Sequence, residues 1–357
     1  MRIIHTADIH IDSPLTARLP RDKIKERRAE LISNLRRLTD AAQRLGAEAI
    51  IIAGDLFDSQ SVSKKAMSAL IDAIESAPGI SFFILPGNHD AEVLSGVGDL
   101  PKNLYLFPIG ERLSYECSDG VVITGMAYCR EKMFDEVRFE KSKTNIIVLH
   151  GELRDKSSAE RESIGLAEAA GRGIDYIALG HYHSYSVHRI DDRGIAVYSG
   201  TPEGRGFDEA GECGFVLLDV KGGAVNHSFV RFAKRRLQII TVDLAGISRA
   251  SEIADRAEAA LRAVPKSDMV RLELCGKFIP GLWKDTASLT DRFRDRFYHF
   301  EVKDSSVISV DPADYKNDKS LKGEFIRTVY ADPALDDEQK AKIVECGINA
   351  LMGEGCK

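Results

Sequence analysis

Two histidines stand two residues apart in "GHYHS" (180–184), directly after the apolar run "YIALG", in a chain that has 9 histidines in all. The same arrangement recurs along the sequence, with apolar runs that end in metal-competent polar residues. "ADIH" supplies Asp8 and His10, "AGDLFD" Asp55 and Asp58, and "PGNHD" Asn88 and His89. "IIVLHG" supplies His150, and "YIALGHYH" supplies His181 and His183. Carboxylate oxygen with imidazole nitrogen suits borderline divalent ions such as Mn, Fe, Co or Zn. The seven candidate ligands Asp8, His10, Asp55, Asn88, His150, His181 and His183 are too many for one tetrahedral ion. They suit two ions that share a carboxylate, a pair that polarises a phosphoryl group and acidifies water. A histidine left free of metal can then act as general acid to the leaving oxygen.

Such residues work only if their elements bring them together. "RIIHTA" (2–7), "AEAIIIAG" and "ISFFILPG" read as buried strands. Between the first two, residues 24–46 carry Ile24, Leu31, Ile32, Leu35, Leu38, Ala42 and Leu45 at helical spacing, closed by Gly46. "KKAMSALIDAIESA" reads as a second helix. "GVVITGMAY", "TNIIVLHG", "IDYIALGH", "AVYSG" and "GFVLLDV" follow as further strands. The alternation, with a strand-rich later half, predicts a mixed-sheet α/β domain. Ligands of open α/β sheets bind at the carboxyl ends of strands, so the polar run-ends would meet in one crevice. A composition shift at "RFAKRRL" (231–237) precedes a strand–helix–strand unit and then a helical tail, in which Asp336 is a candidate N-cap.

The chain has 357 residues, 44% apolar and 29% charged, with a net charge of −6. That balance fits a globular protein and excludes one that coats nucleic acid by bulk charge alone. The six cysteines have no CxxC spacing and read as scattered reduced thiols. With no long apolar run and no leader pattern, a cytoplasmic location away from membranes is expected. Nothing resembles a phosphate-binding G-x-x-x-x-G-K-[ST] loop.

In order, "DIH", "GDLFD", "GNHD", "LHG" and "GHYH" resemble the full signature of calcineurin-like metallophosphoesterases. The resemblance implies a two-sheet αββα metallophosphoesterase sandwich over residues 1–233, a small α+β capping domain over 234–312 and a helical tail over 313–357. It implies that Asp8, His10 and His183 hold one metal ion, that Asn88, His150 and His181 hold another, and that Asp55 bridges. His89 would be the catalytic histidine, oriented by Asp58, although Asp58 could instead cap the helix that follows. The opening "HTADIHIDSPL" and the segment "VYSGTPEGRGFDEAGECGFVLLDV" resemble the DNA-repair exonuclease branch, which includes SbcD- and YhaO-like proteins. That branch implies a manganese-dependent DNA exonuclease, with single-strand endonuclease action as a second mode. It also implies a homodimer and an SbcC-like ATPase partner.

Two other functions fit the same pattern: a small-molecule or cyclic-nucleotide phosphodiesterase, and a non-catalytic subunit of an ATPase complex. Among residues outside the signature, His5 reads as packed core and Asp90 as a residue that fixes its loop. The basic run 21–28 reads as a solvated helix face, "AKRRL" (233–237) as a candidate phosphate contact, and Phe293 and Phe297 as core.

Overall fold

The computed structural model describes residues 1–58, 62–87, 90, 93, 100–127, 134, 138–156 and 163–351. The chain separates into two compact units, Met1–Arg236 and Leu237–Lys357.

The first unit begins with β1 (Arg2–Thr6), α1 (Arg21–Leu45), β2 (Ala49–Ala53), α2 (Lys64–Glu75), β3 (Ser81–Leu85) and β4 (Leu104–Leu106). It continues with β5 (Leu113–Glu116), β6 (Val121–Gly125), β7 (Thr144–His150), β8 (Glu152–Arg154), β9 (Ser163–Gly165) and the short helix α3 (Leu166–Ala169). β10 (Tyr176–Gly180), β11 (Ser186–Arg189), β12 (Ile195–Tyr198), β13 (Gly214–Lys221) and β14 (Ala224–Arg231) complete it. Among the described residues these strands form two six-stranded sheets, in the orders β14-β13-β1-β2-β3-β4 and β11-β12-β10-β7-β6-β5, and a separate β8–β9 pair. Strands β1 to β4 are mutually parallel, as are β12, β10, β7 and β6.

The unbroken apolar runs are explained by burial on both faces, because successive strand residues point to opposite sides. In β2, Ile50 and Ile52 pack toward α1 and α2, while Ala49, Ile51 and Ala53 face the second sheet. In β10, Tyr176 and Ala178 enter the layer between the sheets, while Ile177 and Leu179 pack outward with Ile164 and Ala169. The outcome is the mixed α/β sandwich expected from the sequence. Helix α1 ends where Gly46 takes φ 64°, the left-handed conformation that closes a helix without a Cβ penalty. The N-cap of α2 is Ser63, not Asp58.

The second unit contains β15 (Leu237–Asp243), α4 (Ala250–Leu261), β16 (Met269–Cys275), β17 (Lys277–Phe278), α5 (Thr286–Phe293), β18 (His299–Asp304) and β19 (Val307–Ile308). Helices α6 (Leu321–Ala331) and α7 (Asp337–Leu351) follow. Strands β15, β16 and β18 form a parallel sheet. One core holds Leu272, Leu274, Phe293 and Phe297 together with Ile326 and Val329 of α6 and Val344 and Ile348 of α7. Asp336 Oδ1 accepts the Gln339 amide at 2.8 Å, and Gln339 Oε1 accepts the Asp336 amide at 3.0 Å, a reciprocal cap on α7. Cys117, Cys213 and Cys275 are free thiols, whereas Cys346 is disulfide-bonded, a departure from the expected reduced set.

The basic run 21–28 is largely the solvated face expected, with Arg21, Lys25 and Arg28 exposed, and one of its residues departs from it. Arg27 is fully buried rather than on a solvated face, and reaches Glu30, Glu203 and the Gly204 carbonyl at 3.0, 2.7 and 2.8 Å. Lys234 and Arg235 are bound by Glu30, each at 2.7 Å, and Arg236 meets Glu212 at 3.3 Å. These cations pair with carboxylates of their own unit, and Lys234 and Arg236 stay partly exposed while they do so.

Candidate metal centre

The loop after β1 is stitched to the loop after β2 by backbone hydrogen bonds: Asp8 N to Gly54 O, His10 N to Asp55 O and Ile11 N to Leu56 O, at 3.1, 3.0 and 2.9 Å. This pairing continues β1 beyond its last strand residue and carries Asp8 and His10 alongside Asp55. Asp8, His10, Asp55 and His181 have φ of 51°, 47°, 50° and 107°. Positive φ is uncommon outside glycine and, where it clusters, marks backbone held under strain for a local purpose. The Asp8 carboxylate accepts the His181 amide with both oxygens at 3.0 Å, which ties the end of β10 to the end of β1. Asp90 fixes the loop around Asp55, since its oxygens accept the amides of Leu56, Phe57 and Gly87 at 2.9, 3.1 and 2.8 Å. Burial pushes the Asp90 carboxyl up to about 6 even so.

Two glycines make room for the imidazole of His150. A Cβ on Gly54, whose φ is +93°, would lie 2.2 Å from His150 Nδ1. A Cβ on Gly180 would lie 2.1 Å from the Ala53 carbonyl and 2.8 Å from the same nitrogen. The ring fills the space that these missing side chains leave.

Two clusters of ligand atoms result, Asp8 with His10 and His183, and Asp8 with Asp55 and His150, each with its atoms within 4.8 Å of one another. Asp55 Oδ2 stands 3.3 Å from His150 Nε2 and 3.8 Å from His10 Nε2, between the clusters. His181 joins neither cluster among the described residues, and its ring centroid lies 5.5 Å from that of His150. Asn88 and His89 lie outside the described residues.

The electrostatics favour cations. Burial pushes the Asp8 carboxyl up to about 6, although His150 and His183 work against that rise. Burial alone would pull His150 down, but the Asp55 carboxylate holds it up at about 9. A site negative enough to raise a buried imidazole is negative enough to attract a divalent ion. The oxygen–nitrogen donor set also fits borderline divalent metals.

Behind the first cluster lies a shell of which the sequence singled out only Asp58. Glu209 Oε1 lies 2.7 Å from His183 Nδ1, and Asp58 Oδ1 lies 3.0 Å from His10 Nδ1. Arg205 reaches Asp58 Oδ1 at 3.2 Å, Glu209 Oε1 at 2.5 Å and Ser13 Oγ at 2.9 Å. Despite the opposing effect of burial, His183 and Arg205 hold the Glu209 carboxyl down at about 2. The neighbouring Glu203 anchors this segment by accepting from Arg27 and Arg37 and from the amides of Lys234 and Arg235. Arg205 and Glu209 lie inside "TPEGRGFDEAGE", which has no periodicity or motif that marks a buried ion pair.

A model of the calcineurin-like phosphoesterase family matches residues 1–185, more than half of the 357 residues. The chain belongs to this family. It is therefore a metallophosphoesterase, of a family that uses divalent metals, and the clusters above are its candidate metal-binding residues. The chain is 26% identical over 328 residues to the uncharacterized metallophosphoesterase YhaO of Bacillus subtilis (strain 168), covering 86% of this chain and 80% of YhaO. It is 26% identical over 275 residues to the DNA double-strand break repair protein Mre11 of Methanopyrus kandleri, covering 68% of this chain and 59% of that relative. The chain thus spans less than two thirds of that Mre11. Among solved structures, TT1561 of Thermus thermophilus overlaps 64% of this chain and 99% of its own, with TM-score 0.42 and 15% identity. A dimetal phosphatase from Danio rerio overlaps 65% and 99%, with TM-score 0.44 and 10% identity. No helix among the described residues is long and apolar enough to cross a membrane.

Proposed function

We propose that the chain hydrolyses phosphodiester bonds of DNA as a metal-dependent exonuclease, with single-strand endonuclease action as a second mode. The observation that carries the reading is the meeting of Asp8, His10, Asp55, His150 and His183, from distant parts of the chain, in two adjoining ligand clusters. The similarity to Mre11 supports DNA as the substrate class. The similarity to YhaO covers 86% of the chain, more than the 236 residues of the first unit can supply, so the second unit belongs to the same resemblance.

In this reading Asp8, His10 and His183 hold one ion, while His150, His181 and Asn88 hold the other and Asp55 lies between. Two divalent ions there, with manganese proposed before Fe, Co or Zn, would polarise the phosphoryl group and acidify water. The residues do the rest. Asp8 and Asp55 provide the negative charge that retains the cations. His150 is held in one orientation by the Ala53 carbonyl, 2.9 Å from Nδ1. His89, placed by "GNHD", gives a proton to the leaving oxygen. Asp58, which sits against His10 and Arg205, is read as the residue that orients His89. A homodimer and an SbcC-like ATPase partner complete the proposal.

The test is turnover on 3′- and 5′-labelled duplex DNA with manganese, beside a cyclic nucleotide and a generic phosphodiester, for the native chain and His89→Ala. Expected are DNA cleavage by the native chain, and a loss of about 10²-fold or more in the variant with its metal content intact. Turnover of the cyclic nucleotide without DNA cleavage would replace this reading with a small-molecule phosphodiesterase. Absence of all turnover would favour a non-catalytic subunit.

A further inference from the structure

The two ligand clusters have unlike surroundings. His10 and His183, which share the first cluster with Asp8, both turn Nδ1 toward a carboxylate: Asp58 at 3.0 Å and Glu209 at 2.7 Å. His150, in the second cluster, turns Nδ1 toward a neutral carbonyl, that of Ala53, at 2.9 Å. At His183 the nitrogen bonded to Glu209 carries the proton, which leaves Nε2 as the ligand atom. His10 Nδ1 meets Asp58 as an ion-pair contact without hydrogen-bond geometry, a contact that still turns its Nε2 away from that carboxylate. For His10 this is the nitrogen that faces Asp55 across the site, 3.8 Å away.

One guanidinium joins the two backing carboxylates. Arg205 Nη1 donates to Asp58 Oδ1 at 3.2 Å, while Nε and Nη2 donate to Glu209 Oε1 at 2.9 and 2.5 Å. The Arg205 amide donates to Glu209 Oε2 at 2.6 Å, so both oxygens of Glu209 are held. Nη1 also donates to Ser13 Oγ, in the loop that presents Asp8 and His10. Nη2 comes within 3.5 Å of His183 Nδ1, but the shorter carboxylate contact decides the proton's place on that ring. Arg205 and Glu209 are both buried. A buried pair with this many matched donors is a rigid part.

We propose that Asp58, Arg205 and Glu209 form a clamp behind one metal position only, so that this chain's two ions are held by unlike outer shells and the Asp8–His10–His183 position depends on the clamp. Carboxylates hydrogen-bonded to a ligating histidine raise its basicity and fix its ring, and their loss typically weakens metal affinity 10–100-fold. The three are positioning residues: they act through His10 and His183. The inference rests on the reading of the clusters as metal positions.

The experiment is calorimetric titration of Mn²⁺ into the chelator-stripped full chain, with metal counted by mass spectrometry. The forms are native, Glu209→Gln, Asp58→Asn and Arg205→Lys. Glu209→Gln keeps the shape and removes the charge, and Asp58→Asn reaches the same position through the more exposed member should Glu209→Gln fail to fold. Arg205→Lys keeps the charge but loses the fork that joins the two carboxylates. Native protein is expected to take two ions. Each carboxylate variant is expected to lose about 10–100-fold in one binding step while the other step keeps its native affinity. Arg205→Lys should fall between native and Glu209→Gln. Two unchanged steps in both carboxylate variants would overturn the clamp and leave the proposed function standing, as would equal weakening of both steps. A native chain that takes no ion would overturn both.

Discussion

His5 lies in the sheet layer three residues before Asp8, fully buried, with Nδ1 2.9 Å from the Tyr176 hydroxyl and Nε2 3.2 Å from the Leu179 carbonyl. A carbonyl only accepts, so Nε2 carries the proton and Nδ1 accepts from Tyr176. Burial pulls the imidazole down to about 3, against the opposing effect of the Leu179 bond. A histidine that is neutral when folded and protonated when unfolded makes the unfolded state bind more protons. Stability is therefore lost as pH falls below the unfolded value of 6.5, and the loss continues until about 3. At pH 5 the gap from 6.5 is about 1.5 pH units, and at about 1.4 kcal/mol each the loss is about 2 kcal/mol relative to pH 7. His5→Gln, whose amide still donates and accepts, removes that dependence. Other groups titrate in the same range, but they are common to both proteins and cancel in the difference. The assay is urea unfolding at pH 5, 6 and 7 with chelator, followed by far-UV circular dichroism, because the single tryptophan, Trp283, reports on the second unit. The native chain should lose about 2 kcal/mol more than His5→Gln between pH 7 and pH 5. Parallel curves would refute the reasoning and show that His5 is protonated in the fold.

Gly54→Ala should lower turnover about 10²-fold, because its Cβ would displace the His150 ring by an ångström or more, and the alanine should also strain a backbone at φ +93°. Steady-state kinetics with a metal count checks this, and native kinetics would contradict it. Arg27→Ala should cost about 3–5 kcal/mol in chemical unfolding, since it leaves the buried Glu203 and Glu30 short of a cation. Arg235→Ala should lower the melting temperature while leaving duplex affinity within about twofold, because Glu30 and Glu26 already occupy its guanidinium. A loss of DNA binding without a loss of stability would return that residue to the phosphate-contact role read from the sequence. Removal of divalent ions should lower the melting temperature of the native chain, by mass action on sites that only the folded state offers.

The signature was legible because each block ends an apolar run, and a run buried on both faces, such as "AIIIA" in β2, is a strong strand signal. Strand order and sheet stacking then decide whether the run-ends meet, and those depend on long-range pairing such as β1 with β13, 211 residues apart at His5 and Val216. Single-residue environments were less legible. "RDKIKERR" has the composition of a solvated helix face, yet Arg27 is buried because Glu203, 176 positions later, comes to meet it. Arg205 and Glu209 carry no local signal, since what makes them matter is their distance from Asp58 and His183. Phe293 and Phe297 were readable as core, because their spacing at the end of a short helix already gives the segment an apolar side.

Crystals soaked in manganese and measured for anomalous scattering test the central claim most directly. Two peaks per chain are expected, one beside Asp8, His10 and His183 and one beside Asp8, Asp55 and His150, about 3.5–4 Å apart. A lone peak, or peaks away from these side chains, would contradict the binuclear centre on which the proposed chemistry stands.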